Sequence, residues 1–144
     1  DSSAKAIALT KANVELNFPG DSRHEAYAED AFKFLNTIDN KYDLIILDPP
    51  AFAKHRNAIK NALIGYRKLN AKAFEKIRPG GILFTFSCSQ AINREQFILA
   101  VFSAAAMSKR KVRILHQLTQ PADHPINIYH PEGEYLKGLI LYVE

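Results

Sequence analysis

Two polar residues follow apolar segments in a way that indicates a chemical site. Asp48 ends the apolar run at residues 44–47, and two prolines follow it. Cys88 stands between two serines after a second apolar run at residues 82–86. Both runs are typical of buried strands, and ligands of open α/β sheets bind beyond the carboxyl ends of the strands. A carboxylate and a potential thiolate nucleophile are therefore expected at one edge of a sheet. Each also has a simpler interpretation, as a strand stop and as an inert core thiol.

The loop after Asp48 carries an aromatic ring and two cations. The prolines fix the backbone, so Phe52, Lys54 and Arg56 are expected to project from a rigid extended segment. Phe52 could stack on a base that has left its helix, and Lys54 and Arg56 could contact phosphates. A core aromatic and solvated surface cations are the alternatives that the sequence leaves open.

The pattern along the chain predicts the elements that position these residues. Helices are expected at about residues 3–17, 31–38, 57–77 and 93–107, the third with Tyr66 among its apolar positions. Strands are expected at about residues 24–28, 44–47, 82–86, 112–118 and 135–143, with a loop at 120–134. This order predicts an α/β fold with a doubly wound, mainly parallel sheet and helices on both faces. The last two strands lack an intervening helix, so they are expected to be antiparallel at the edge.

Composition limits the class of protein. The chain of 144 residues is 47% hydrophobic, which suits one globular domain over residues 1–144. No apolar run of membrane-spanning length and no signal-peptide pattern is present, and the single cysteine favours a reducing, cytoplasmic environment. The net charge of +4, with clustered cations, favours an anionic partner such as RNA, although solvated helix faces give the same pattern. No spacing of ligand residues indicates a metal site.

Several motifs together resemble a known family. The sequence is similar to the C-terminal part of class I S-adenosylmethionine-dependent methyltransferases, with a Rossmann-like sheet. More narrowly, it resembles the bacterial large-subunit ribosomal RNA cytosine-C5 methyltransferases of the RlmI type. The matching stretches, in order, are DSSAKAIALTKANVELN, EDAF, YDLIILDPPAFAK, GYRKLN, RPGGILFTFSCS, ADHP and PEGEYLKG.

The resemblance implies a role for each motif. Asp1 would hold the ribose of S-adenosylmethionine, and Asp30 with Ala31 would hold its adenine. Asp48 and Pro49 would border the methyl-donor pocket, and Cys88 would be the nucleophile. In the family, a first strand, a Gly-rich loop and an RNA-binding domain precede the position of the first of these residues. The chain is therefore expected to be an incomplete methyltransferase domain that binds the cofactor weakly by itself.

The implied reaction is methylation of carbon 5 of a cytosine in ribosomal RNA through a covalent adduct of Cys88. Asp48 could hydrogen-bond the protonated or polarised ring, and either this carboxylate or a water could remove the carbon-5 proton. An N-methyltransferase, with a structural Cys88, is the main alternative. A fragment that only binds RNA or a protein partner is the other. Glu134 and Lys137 are polar residues without an assigned role, and the sequence leaves a homodimer open.

Overall fold

The computed structural model describes residues 1–53 and 56–144, which form two compact units, residues 1–37 and residues 38–144. The helices are α1 (Ala4–Asn17), α2 (Ala31–Leu35), α3 (Ile59–Lys76) and α4 (Arg94–Ser108). The strands are β1 (Leu44–Leu47), β2 (Gly81–Ser87), β3 (Val112–Leu118) and β4 (Lys137–Val143). Within the described ranges, no helix has the length and apolar character needed to cross a membrane.

The first unit consists of α1, α2 and an irregular connection. Ser3 caps α1, since its hydroxyl oxygen accepts a hydrogen bond from the Ala6 N–H at 3.2 Å. The helix ends before Phe18, as the Phe-Pro-Gly sequence predicts. Asp30 caps α2, which is shorter than predicted and ends at Leu35. The helix predictions for this unit are therefore confirmed, apart from the length of the second.

The strand predicted at residues 24–28 is wrong. This segment is irregular in the structure. Its backbone contacts the start of the chain, where Glu29 N–H donates to the Asp1 carbonyl at 3.0 Å and the Asp1 amino group donates to the Tyr27 carbonyl at 3.4 Å. A strand needs a continuous row of backbone partners on a neighbour, and these two bonds involve a single residue.

The second unit is a four-stranded sheet in the order β1-β2-β4-β3. β1 is parallel to β2, whereas β4 is antiparallel to both β2 and β3. The predicted α/β class and the antiparallel pairing of the last two strands are confirmed. The described sheet is nevertheless mixed rather than mainly parallel, and the edge strand is β3 because β4 inserts between β2 and β3.

Helices α3 and α4 pack against each other beside one face of this sheet. The alternation in β2 places Leu83, Thr85 and Ser87 in the interior, with Leu139, Leu141 and Val143 of β4 equally buried. From the helices, Tyr66, Phe74 and Phe97 are fully buried. On β1, Leu44 and Ile46 point the other way and remain 50% and 58% exposed.

Local sequence fixes where these helices stop and start. After α3, Pro79 and Gly80 form a turn in which Gly80 has a φ of +81°, a conformation that favours glycine. Asn93 and Gln96 form a reciprocal capping box at the start of α4. The turn after α3 leads directly into β2, and the capping box begins α4 shortly after β2 ends.

Candidate active site

The carboxyl ends of β1 and β2 lie side by side. Because Leu47 is paired with Thr85 in a parallel ladder, Asp48 follows β1 at the level of Phe86, and Cys88 follows β2 two residues beyond that level. The structure therefore brings Asp48 and Cys88 to the same edge of the sheet, as the sequence predicts. Asp48 is exposed, and Pro49 is half-buried. An exposed carboxylate next to a fixed proline is accessible to a ligand.

Cys88 is held by its two neighbours. The side chains of Ser87 and Ser89 are buried, whereas Cys88 is half-buried and remains a free thiol. The Ser87 hydroxyl donates to the Tyr66 hydroxyl at 2.9 Å, and the Ser89 hydroxyl donates to the Ala53 carbonyl at 2.5 Å. These serines anchor the turn on both sides of the thiol. The sulfur is thus not enclosed in the core, which the inert-thiol interpretation would require.

The pKa of Tyr66 responds to both the acid and the thiol. Burial raises the pKa of the Tyr66 phenol, and the Cys88 thiol and the Asp48 carboxyl raise it further. Hydrogen bonds from the Ser87 side chain and the Phe52 backbone act in the opposite direction. The hydroxyl of Tyr66 is joined to the residue before Cys88 by its hydrogen bond with Ser87. The sequence interpretation missed Tyr66, although a tyrosine on an apolar helix face commonly needs a buried hydrogen-bond partner.

Phe52 contacts α3. Its ring centroid lies 4.6 Å from that of Tyr66, which in turn lies 5.4 Å from Phe97. A Cβ atom on Gly65 would lie 3.1 Å from the Phe52 ring, so the missing side chain makes room for the aromatic. Phe52 is half-buried, with one side packed in this aromatic group. Its stacking on a substrate base stays a prediction.

Lys137 is a second residue to which the sequence gave no role. It starts β4, lies opposite Ser87 in the antiparallel ladder and is 5% exposed. Its ammonium group donates to the Ser89 carbonyl at 2.6 Å and to the Tyr135 carbonyl at 2.7 Å. A lysine at the start of an apolar strand is the only local signal of this residue, and its position opposite Ser87 follows from the pairing of β4 with β2.

The candidate cofactor residues of the first unit lie at two helix starts. Asp1 Oδ1 accepts from the Ser3 N–H at 2.7 Å, and Asp30 Oδ1 accepts from the Phe32 and Lys33 N–H groups at 3.0 and 3.1 Å. Both residues are exposed, as is Ala31. Oδ2 of each carboxylate makes no hydrogen bond within the described residues. Such oxygens fit the hydroxyl and amine donors of a nucleoside, so the residues present suit S-adenosylmethionine.

Two predicted substrate contacts cannot be placed. Lys54 lies outside the described residues, and so does the side chain of Arg56, whose backbone begins the 3-10 turn Arg56–Ala58. Within the described part of the chain, no group of three or more His, Cys, Asp or Glu side chains could hold a metal ion.

Comparisons with known proteins match nearly the whole chain. Ribosomal RNA large subunit methyltransferase I from Tolumonas auensis is 41% identical over 144 residues, which cover 98% of this chain and 36% of that protein. The chain is homologous to this methyltransferase. The protein of the same name from Enterobacter sp. is 40% identical over 141 residues, which cover 96% of this chain and 36% of the relative. The family resemblance is thereby confirmed, for a chain that spans 36% of the length of these relatives.

A solved structure confirms the fold. SMU.776, described as a methyltransferase complexed with SAH, superposes with a TM-score of 0.81 at 23% identity. The match covers 99% of this chain and 38% of the other chain. No family model matches the sequence. The predicted Rossmann-like methyltransferase fold is therefore confirmed by structure as well as by sequence.

Proposed function

We propose that the protein transfers a methyl group from S-adenosylmethionine to ribosomal RNA, and that the acceptor is carbon 5 of a cytosine. The methyltransferase relatives and the SAH complex of SMU.776 support the coarser part of this proposal. The finer part depends on one observation, the placement of Asp48 and Cys88 after adjacent parallel strands. Because the chain spans 36% of its relatives, the activity is proposed for the full-length protein.

Each candidate residue has a definite task in this reaction. Bound S-adenosylmethionine supplies an electrophilic methyl group. Asp1 accepts hydrogen bonds from its ribose, Asp30 and the backbone of Ala31 recognise its adenine, and Asp48 and Pro49 border the methyl-donor pocket. The free Oδ2 atoms of Asp1 and Asp30 and the exposure of Asp48 support these assignments.

Cys88 makes carbon 5 reactive. Its thiolate forms an Sγ–C6 bond, and the electron pair of the C5=C6 bond moves onto carbon 5. Carbon 5 then bonds the methyl group as the sulfur–methyl bond of the donor breaks, and the bonding pair leaves with the donor sulfur as S-adenosylhomocysteine. A base removes the carbon-5 proton, the double bond re-forms and the sulfur leaves with its electron pair. Asp48 holds the polarised ring by a hydrogen bond. A half-buried thiol in a fixed turn suits this task, because the cytosine must have access to the sulfur and the sulfur must be held in a fixed orientation.

The RNA reaches this site through the loop after β1. Phe52 presents the free side of its ring for stacking on a flipped-out cytosine, while Lys54 and Arg56 contact phosphates of the same strand. The packing of Phe52 on Tyr66 supports this arrangement, because a ring fixed by the core can hold a base in one orientation.

The decisive experiment replaces Cys88 by Ala in the full-length protein. With ribosomal RNA and radiolabelled S-adenosylmethionine, we expect methyl transfer to fall below detection, and nucleoside analysis of the wild-type product to give 5-methylcytidine. RNA containing 5-fluorocytosine should trap the wild-type protein as a denaturation-stable adduct, because fluorine cannot leave as a proton does. The Cys88→Ala variant should form no adduct.

Two outcomes would contradict this proposal. Retained methyl transfer by Cys88→Ala would show that the sulfur is not the nucleophile. A product methylated on a ring or exocyclic nitrogen would favour an N-methyltransferase instead. Ser103→Ala is a suitable control, since this serine bonds a carbonyl of its own helix away from the strand ends.

A further inference from the structure

Lys137 is an unusual residue to find inside a protein. It is 5% exposed, and its described hydrogen bonds go to two backbone carbonyls, those of Ser89 and Tyr135. Lysine is almost never this buried unless its charge is paired, because removing an ammonium group from water costs several kcal/mol. The nearby Glu134 carboxylate instead pairs with Arg94 at 3.7 Å. Ordinary packing therefore gives no reason for a lysine here.

The position of the ammonium group supplies a reason. Lys137 lies opposite Ser87 in the β2–β4 ladder, and its Nζ reaches past the strand end to the carbonyl of Ser89. The Lys137 side chain thus contacts the backbone of the turn whose middle residue is Cys88. The carbonyl it holds belongs to the residue directly after the thiol, so its hydrogen bond restricts the backbone that aims the sulfur.

The charges around Lys137 agree with this geometry. Burial lowers the pKa of the Lys137 ammonium group, the Cys88 and Glu134 side chains raise it, and Arg94 lowers it. These are the titratable neighbours contributed by the β2 turn, the loop before β4 and α4. Tyr66 of α3 is a further titratable group that interacts with Cys88. An ammonium group held at the carbonyl of the residue after Cys88 attracts the negative charge of a thiolate.

We propose that Lys137 is the positioning residue of Cys88, fixing the Ser89 carbonyl by hydrogen bonding and stabilising the thiolate with its charge. This inference rests on the proposed function, in which the thiolate form of Cys88 does the chemistry. A residue that serves only the fold would need the hydrogen bond and not the charge. The two roles are separable by substitution.

Three substitutions separate charge from hydrogen bonding. Lys137→Arg keeps both the charge and the donors, Lys137→Gln keeps a donor without charge, and Lys137→Met keeps the apolar stem alone. The Met variant leaves the Ser89 and Tyr135 carbonyls without this donor but also removes a buried ammonium group, and we expect it to fold because these two effects oppose each other. Lys111→Met is the matched control, since it removes one positive charge from an exposed position.

The readout is alkylation of the single cysteine by uncharged iodoacetamide, followed by mass spectrometry from pH 6 to pH 10. We expect Lys137→Gln and Lys137→Met to react about tenfold more slowly than wild type at pH 7 and at a similar rate at the highest pH. Half-maximal reactivity should shift upward by about one pH unit. Lys137→Arg and Lys111→Met should follow the wild-type profile. Circular dichroism of each variant establishes that it is folded.

Several outcomes would overturn the inference. Superimposable profiles for wild type, Lys137→Gln and Lys137→Met would leave Lys137 with a structural role only. An equal shift in Lys111→Met would assign the effect to net charge. Alkylation of the cysteine does not depend on methyl transfer. Retained activity of Cys88→Ala would therefore refute the proposed function without changing the pH profile of alkylation in the Lys137 variants. If the Lys137 variants leave the pH profile of alkylation unshifted and Cys88→Ala is inactive, the role of Lys137 is refuted and the proposed function is not.

Discussion

The segments that follow β1 and β2 hold their side chains by different means. After β1, Asp48 is exposed and makes no hydrogen bond or ion pair within the described residues, and the rigidity of the segment comes from two prolines. After β2, the serines around Cys88 are buried and bonded to Tyr66, Ala53 and Lys137. The acid is therefore stiffened by covalent structure and the thiol by tertiary contacts.

Because of this difference, substitutions in the two segments should have different effects on methyl transfer and on the stability of the fold. Changes at Asp48 should affect the reaction and leave the fold intact, because no described contact is lost. Changes around Cys88 should affect both, because the hydrogen bonds that aim the thiol also join β2, α3, β4 and the loop after β1. The following variants test that contrast, beginning with the largest expected effect.

Asp48→Asn should reduce the rate of methyl transfer by the full-length protein about 100-fold, which corresponds to ~2.7 kcal/mol. The amide lacks the negative charge with which the carboxylate accepts a hydrogen bond from the protonated ring. The free energy of unfolding should change by less than about 0.5 kcal/mol, since the side chain is exposed. Asp123→Asn, in the loop before β4, should change neither quantity. A large loss of stability in Asp48→Asn would contradict the contrast between the two segments.

Ser89→Ala should lower the free energy of unfolding by about 1–2 kcal/mol in urea titrations. The change leaves the Ala53 carbonyl without its buried donor and disconnects the loop after β1 from the turn after β2. Ser103→Ala is again the control, because its hydroxyl bonds the Leu99 carbonyl within α4 and is partly exposed. Similar effects of the two substitutions would mean that the link between the segments contributes nothing.

Tyr66→Phe should have the smallest effect. It should lower the free energy of unfolding by about 1 kcal/mol near neutral pH, and this loss should depend on pH. The pKa of Tyr66 is raised above its ordinary value of 10.0, chiefly by burial. The folded state therefore holds the phenolic proton more tightly than the unfolded state, and wild-type stability falls as the pH rises above 10. Phenylalanine has no such proton.

The difference in unfolding free energy between wild type and Tyr66→Phe should therefore stay constant from pH 8 to about pH 9.5 and narrow as the pH rises above 10 in urea titrations. Tyr129→Phe serves as the control, because Tyr129 is 86% exposed. A difference that stays constant or widens as the pH rises above 10 would contradict the buried position of the Tyr66 hydroxyl.

The sequence predicted those parts of the molecule that depend on local pattern. β3 was predicted with its observed limits, Val112–Leu118, and the end of α1 followed from Phe-Pro-Gly. The strand ends that carry Asp48 and Cys88 were also found, because an apolar run followed by polar residues or prolines is itself a local signal. The strand predicted at residues 24–28 failed since a strand depends on its partners and not on its own residues alone.

The contributions of Tyr66 and Lys137 could not be predicted from local pattern. Tyr66 fits an apolar helix face by spacing, and its hydrogen bond with Ser87 exists only because α3 packs on β2. Lys137 reaches the Cys88 turn because β4 lies next to β2 in the sheet, which the order of elements along the chain does not reveal. Residues that support a site from a distant element become visible only in three dimensions.

The insertion of β4 between β2 and β3 has a consequence for biosynthesis. During translation β3 emerges first, but it has no backbone partner in the described sheet until β4 has left the ribosome. The same strand delivers the lysine that lies beneath the cysteine turn. The nascent chain therefore displays the Cys88 thiol before Lys137 has been synthesised, and the thiol gains its full environment in the same step that closes the sheet.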